Sequence, residues 1–182
     1  NYVSENNNGK IHFILGMSMG GFITIDLLSR FDIECDKAIL DSGYLKPWTR
    51  FNAKIMSKLV SWGFRKLIKG KSNLIIEKTM QTSMGYCFKK EDLCLDATKV
   101  TLKNSEYSCL TYQLPELSKL GNMSVEYWYG KKDKNMIEGM KELKKQLPNM
   151  KEICFGDYGH GEFMFEHSEE YADMVIKSVK NC

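Results

Sequence analysis

The chain has 182 residues and a net charge of +3, with 43% hydrophobic and 27% charged residues. That suits one domain, or one domain with an inserted piece, and excludes disordered, fibrous and strongly basic nucleic-acid-binding classes. No apolar run approaches the roughly 18 residues of a membrane span.

Residues 1–10 are polar and read as the frayed end of a helix, with Gly9 at its exit turn. Ile11-His12-Phe13-Ile14-Leu15 is a short apolar run and predicts a buried strand. A helix is expected over 19–30, where Phe22, Ile23, Leu27 and Leu28 recur at helical spacing. Residues 37–41 predict a second buried strand, closed by Ser42-Gly43. Residues 45–120 then change character, and strand signals are weak throughout. The stretch 49–69 is a basic amphipathic helix with Met56, Leu59, Val60 and Phe64 on one face. Such a helix suits a membrane surface, but packing on its own protein is the commoner outcome. Further helical pieces are expected near 73–84, 90–103 and 106–118. The strand pattern returns at 124–129. A charged helix over 135–147 carries Met136, Met140, Leu143 and Leu147 and stops at Pro148. Residues 151–155 predict a last strand, and one helix over 163–180 closes the chain with Tyr171, Met174, Val175 and Ser178 on a shared face. Alternation of this kind predicts an α/β fold, a parallel sheet with helices on both faces and a helical insertion.

Gly16-Met17-Ser18-Met19-Gly20 fits G-x-S-x-G, with a strand expected before it and a helix after it. A sharp strand-to-helix turn strains the serine backbone and requires small neighbours two residues before and after. It also presents helix-start N–H groups, chiefly that of Met19, to a developing oxyanion. The serine needs a base. His12 lies within a strand and His167 within the final helix, where a solvated side chain is expected. His160 follows the last strand in Gly156-Asp157-Tyr158-Gly159-His160-Gly161. Ligands and catalytic groups gather at the carboxyl ends of parallel strands, and His160 alone has that address. The base needs an acid to hold its tautomer. Asp133, after Gly130-Lys131-Lys132, gives the order Ser, Asp, His. Asp41 is the serious rival and Asp157 the weaker one. Six cysteines, at positions 35, 87, 94, 109, 154 and 182, form no C-x-x-C pair, and only three histidines accompany them. A structural zinc site is not expected. They read as reduced thiols of a cytoplasmic protein, mostly filling the core.

With GMSMGG after a strand, YGKKD after the penultimate strand and GHG after the last, the sequence resembles the α/β-hydrolase superfamily, in its lipase, esterase and peptidase-like branch. The likeness covers residues 11–44 and 122–180. It implies a hydrolase core over 1–44 and 121–182, a helical cap over 45–120, and a serine hydrolase of ester or similar acyl bonds. Ser18 is then the nucleophile, His160 the base, Asp133 the orienting acid and Met19 an oxyanion donor. No metal or organic cofactor is implied. Trp48, Met56, Trp62 and Phe64 suggest a pocket for an apolar acyl or alcohol group of a small-molecule substrate, although such residues also build ordinary cores. Two other functions stay open: a non-catalytic binding module, and a peptidase, thioesterase or acyltransferase on the same fold. The chain begins at Asn1, and no H-G-type loop precedes Ser18. Further strands encoded upstream, and low activity and stability of residues 1–182 alone, are therefore expected.

Overall fold

A computed structural model describes residues 2–30, 33–71, 74–86, 88, 89, 93, 96–120 and 123–180. The apolar runs become strands β1 (Lys10–Met17), β2 (Glu34–Asp41), β3 (Ser124–Tyr129) and β4 (Lys151–Cys154) of a parallel sheet ordered β1-β2-β3-β4. The register sets Met17 beside Asp41 and Asp41 beside Trp128, so the carboxyl ends lie side by side. Helix α1 (Tyr2–Asn6) precedes the sheet, α2 (Met19–Arg30) joins β1 to β2, and α3 (Arg50–Ile68), α4 (Leu74–Met84) and α5 (Lys99–Thr111) separate β2 from β3. Helix α6 (Lys134–Gln146) joins β3 to β4, and α7 (Glu162–Glu166) and α8 (Ser168–Lys180) end the chain.

Alternation along the strands builds two cores. Ala38, Leu40, Val125 and Tyr127 pack with α2 and α6 on one face. Ile39, Trp128, Phe13 and Leu15 pack with α7 and α8 on the other. Lys37, buried within β2, is neutralised by Glu126 at 3.1 Å and donates to the Ser178 carbonyl. The α/β class with helices on both faces is as the sequence predicts.

Several local expectations change. Strand β1 is half-buried rather than buried, because among the described residues it pairs with β2 alone. Helix α2 buries Phe22, Ile25 and Leu28 and turns Ile23 outward. Helix α3 buries Ala53, Ser57, Val60, Ser61 and Leu67, with Met56 and Phe64 half-buried and Leu59 exposed. The pieces expected over 90–103 and 106–118 give way to the single helix α5. Residues 90–92, 94 and 95 lie outside the described ones. Thr98 starts α5 by accepting the Thr101 N–H, and Pro115 biases Leu114 toward extended backbone soon after its end. The closing helix is broken at His167 (φ −129°, ψ 49°), whose Nε2 lies 2.7 Å from the Tyr158 hydroxyl and whose ring stacks on Phe163. His167 is therefore a half-buried anchor and not a solvated side chain. Cys35 and Cys109 pack on the core, but Cys154 is exposed. Cys87, Cys94 and Cys182 lie outside the described residues.

The glycines of the first turn differ in what they permit. A Cβ on Gly21 would collide with the backbone of Gly43 after β2, whereas one on Gly20 would meet open space. The second small position thus lies one residue later than the five-residue pattern suggests. Gly21→Ala is expected to cost about 2 kcal/mol or more through overpacking. Gly20→Ala, inside α2, is expected to gain about 0.5–1 kcal/mol from helix propensity. Urea denaturation of both variants checks this, and equal midpoints would contradict the packing assignment.

Candidate active site

Strand β1 ends at Met17 and α2 starts at Met19, which leaves Ser18 alone to reverse the chain. It does so at φ 51°, in the left-handed region that β-carbon-bearing residues enter at a cost. The strain is held by neighbours. The Ser18 N–H donates to the Asp41 carbonyl at 2.8 Å, and the Ser18 carbonyl accepts from the Gly21 N–H at 3.0 Å. Met19 opens α2, and first-turn N–H groups have no intrahelical acceptor, so its amide is available to an anion beside Ser18.

Two loops zip together beyond the carboxyl ends of β3 and β4. Lys131 N–H donates to the Gly156 carbonyl at 2.8 Å and Lys132 N–H to the Tyr158 carbonyl at 3.0 Å. Asp133 follows as N-cap of α6, its Oδ1 accepting from Met136 N–H at 3.4 Å. Its other oxygen, Oδ2, lies 2.6 Å from His160 Nδ1. His160 is fixed from behind by donating its backbone N–H to the Met84 carbonyl at 2.9 Å. Its Nε2 lies 2.8 Å from Ser18 Oγ. Asp133 and His160 are both buried. With Asp133 ionised, Nδ1–H donates to the carboxylate and leaves Nε2 to accept the serine proton.

The rival acids are engaged elsewhere. Buried Asp41 accepts from the Tyr171 hydroxyl at 2.8 Å and from Ser42 Oγ at 3.1 Å, and burial pushes its pKa up. Asp157 is exposed, with Lys131 at 3.9 Å. His12 is exposed beside Asp36 at 2.7 Å. Burial disfavours the charged form of His160, but the hydrogen bond and charge of Asp133, with the charges of Asp41 and Glu106, outweigh it. The His160 pKa lies above its ordinary 6.5.

Ser18, His160 and Asp133 border a cavity of about 260 Å³ whose wall is mostly apolar. Trp48, Met56 and Phe64 line it. Trp62 does not. It sits on the opposite side of α3, 37% exposed, with Lys66 Nζ 6.0 Å from its ring centre. The sequence reading missed Phe88, whose ring meets that of His160 at 6.4 Å, and Glu106 of α5. Burial raises the Glu106 pKa, opposed by His160. Both lie where strand and motif signals were absent. An acid within α5, close to the half-buried Tyr107 and the buried Leu110, was the available clue for Glu106.

The fold is the α/β-hydrolase fold. The chain is similar to a protein of Desulfitobacterium hafniense assigned to the alpha/beta hydrolase family, with TM-score 0.80 and 15% identity over 97% of this chain and 72% of that one. An esterase from Exiguobacterium antarcticum matches with TM-score 0.69 and 18% identity, over 98% of this chain and 70% of the other. A thermophilic esterase from Thermogutta terrifontis matches with TM-score 0.66 and 16% identity, over 99% and 68%. No protein-family model matches the sequence, and no curated protein matches it either.

Proposed function

We propose that this α/β-hydrolase-fold protein is a serine hydrolase that cleaves an ester or related acyl bond. The observation that carries the reading is the continuous chain Ser18 Oγ, His160 Nε2, His160 Nδ1, Asp133 Oδ2 at the wall of an apolar cavity. In this reading residues 1–44 and 121–182 form the core and 45–120 the cap that closes the cavity from above. Ser18 Oγ attacks the substrate carbonyl while Nε2 of His160 takes its proton. The carbonyl π-bond electrons move to oxygen, where the Met19 N–H stabilises the oxyanion. The tetrahedral centre collapses, the carbon–oxygen bond to the alcohol breaks, and His160 returns the proton to that leaving group. Water then repeats the sequence on the acyl-enzyme and releases the acid. Asp133 keeps His160 in the right tautomer and stabilises the imidazolium. Trp48, Met56 and Phe64 favour an apolar acyl or alcohol part.

The test is labelling with a fluorophosphonate, followed by mass spectrometry of the modified peptide. A single adduct on Ser18, with turnover of p-nitrophenyl esters, is the expected result. A protein that binds such esters but is neither labelled nor active is a binding module instead.

A pH profile follows from the same geometry. His160 must be neutral to act as base, and its pKa is raised, so kcat/KM should fall as pH drops with a midpoint above 6.5. Glu106 contributes to that rise, so Glu106→Gln should move the midpoint down. A rate flat between about pH 5 and 8 contradicts the role of His160.

A further inference from the structure

Helix α3 is apolar on two opposite faces. Ala53, Met56, Val60, Phe64 and Leu67 point into the protein, and Met56, Val60 and Phe64 line the cavity. Phe51, Ile55, Leu59 and Trp62, spaced i, i+4, i+8 and i+11, form a second stripe about half a turn away. That stripe is exposed, with Phe51 72% and Ile55 53% accessible. Leu74 and Ile75 at the start of α4 extend it at 76% and 68%, and Leu59 and Ile75 line one shallow surface groove. An ordinary solvated helix face does not carry six such side chains together.

The charge along the segment that carries the stripe has one sign as far as Glu77, an exposed acid in the first turn of α4. From Ser42 to Ile76 the sequence holds no acidic residue, while Lys46, Arg50, Lys54, Lys58, Arg65, Lys66, Lys69 and Lys71 all lie there. The whole chain nets only +3, so the remainder is net acidic and the positive charge is concentrated on this segment. Arg50, Lys54, Lys58, Lys69 and Lys71 are exposed. Among the described residues no helix is long and apolar enough to cross a membrane.

We propose that the outer face of α3, with the start of α4, docks on an anionic lipid surface. Phe51, Ile55, Leu59, Trp62, Leu74 and Ile75 insert among the upper acyl segments, and the flanking lysines and arginine meet lipid phosphates and carboxylates. The pairing of features selects this partner. A soluble polyanion engages the cations but leaves the apolar stripe in water, and a neutral apolar surface leaves the cations unmatched. A lipid surface of negative charge satisfies both. Docked this way, α3 lies in the interface plane with its inner face still lining the cavity. The proposal does not depend on the hydrolase reading, since it concerns residues that touch neither Ser18 nor His160.

The experiment is co-sedimentation of the protein with phosphatidylcholine vesicles, with and without about one-third phosphatidylserine, alongside tryptophan emission. Binding to the anionic vesicles with a blue shift, and little binding to phosphatidylcholine alone, is expected. The double variant Phe51→Ser, Ile55→Ser should bind at least about tenfold more weakly through lost apolar insertion. Lys54→Glu with Lys58→Glu should abolish the preference for anionic lipid. Both variants should keep wild-type circular dichroism and thermal melting, and wild-type turnover wherever turnover is measurable. No binding to anionic vesicles at low salt overturns the proposal. So does binding unchanged in the serine variant, which signals a purely ionic contact. A concentration-dependent dimer in gel filtration that dissociates in the serine variant, with no vesicle binding, overturns it in favour of a second copy as the occupant.

Discussion

Ser18→Ala is expected to lower ester turnover about 10⁶-fold, to background, while the protein stays folded. Ser18 Oγ is the atom that His160 Nε2 addresses at 2.8 Å, and among the described residues no other side chain has the same relation to that nitrogen. Alanine keeps the β-carbon and therefore the left-handed backbone at φ 51°, so the turn between β1 and α2 should persist. Single-turnover kinetics with an activated ester, beside circular dichroism and melting of the same preparation, checks both halves of the statement. Wild-type turnover in a folded alanine variant ends the serine hydrolase reading.

Asp133→Asn should cost about 10⁴-fold in kcat, because asparagine keeps the shape and can donate to Nδ1, which stabilises the wrong tautomer of His160. Its stability should change little, since the amide oxygen can still cap α6 through Met136 N–H. Asp41→Asn should cost far less activity, as Asp41 is committed to Tyr171 and Ser42 and acts on His160 only through its charge. The two variants also differ in the pH profile. Loss of Asp133 removes the hydrogen bond and the charge that raise the His160 pKa, so what activity remains should titrate at a lower pH than in the parent protein. The opposite ranking of the two variants would make Asp41 the orienting acid.

Much of the site could be read from the chain because its constraints are local. G-x-S-x-G reports a turn too tight for a side chain at Gly16, and the glycine-flanked His160 and the Asp133 after a strand report loops at strand ends. A Cβ on Gly16 would collide with the Gly20 carbonyl, which is a contact between residues four apart and so is written in the sequence. The requirement at Gly21 is not written there. It comes from Gly43, twenty-two residues on, brought alongside only when β2 pairs with β1. The same holds for the acid. Asp41, Asp133 and Asp157 all lie at or just beyond strand ends, and only the docking of the β3–α6 loop on the β4–α7 loop sets Asp133 at hydrogen-bond distance from His160.

The helices show the division most sharply. Where one apolar face exists, as in α6 with Met136, Met140, Leu143 and Leu147, periodicity identified the buried side correctly, because hydrophobic burial has one choice. Helix α3 has two apolar faces, and periodicity cannot rank them. Packing against α5 and α4 buries the side with the small residues Ala53, Ser57, Ser61 and Gly63, which allow close helix approach, and leaves Trp62 and Leu59 outside. The sequence by itself therefore determined the order of the strands, the α/β class and the places of Ser18 and His160 at strand ends, all consequences of short-range spacing. Which acid faces His160, which side of α3 lines the cavity, and that Glu106 and Phe88 border it were decided by the tertiary structure. Those depend on contacts between segments far apart in the chain, whose geometry exists only after the sheet has assembled.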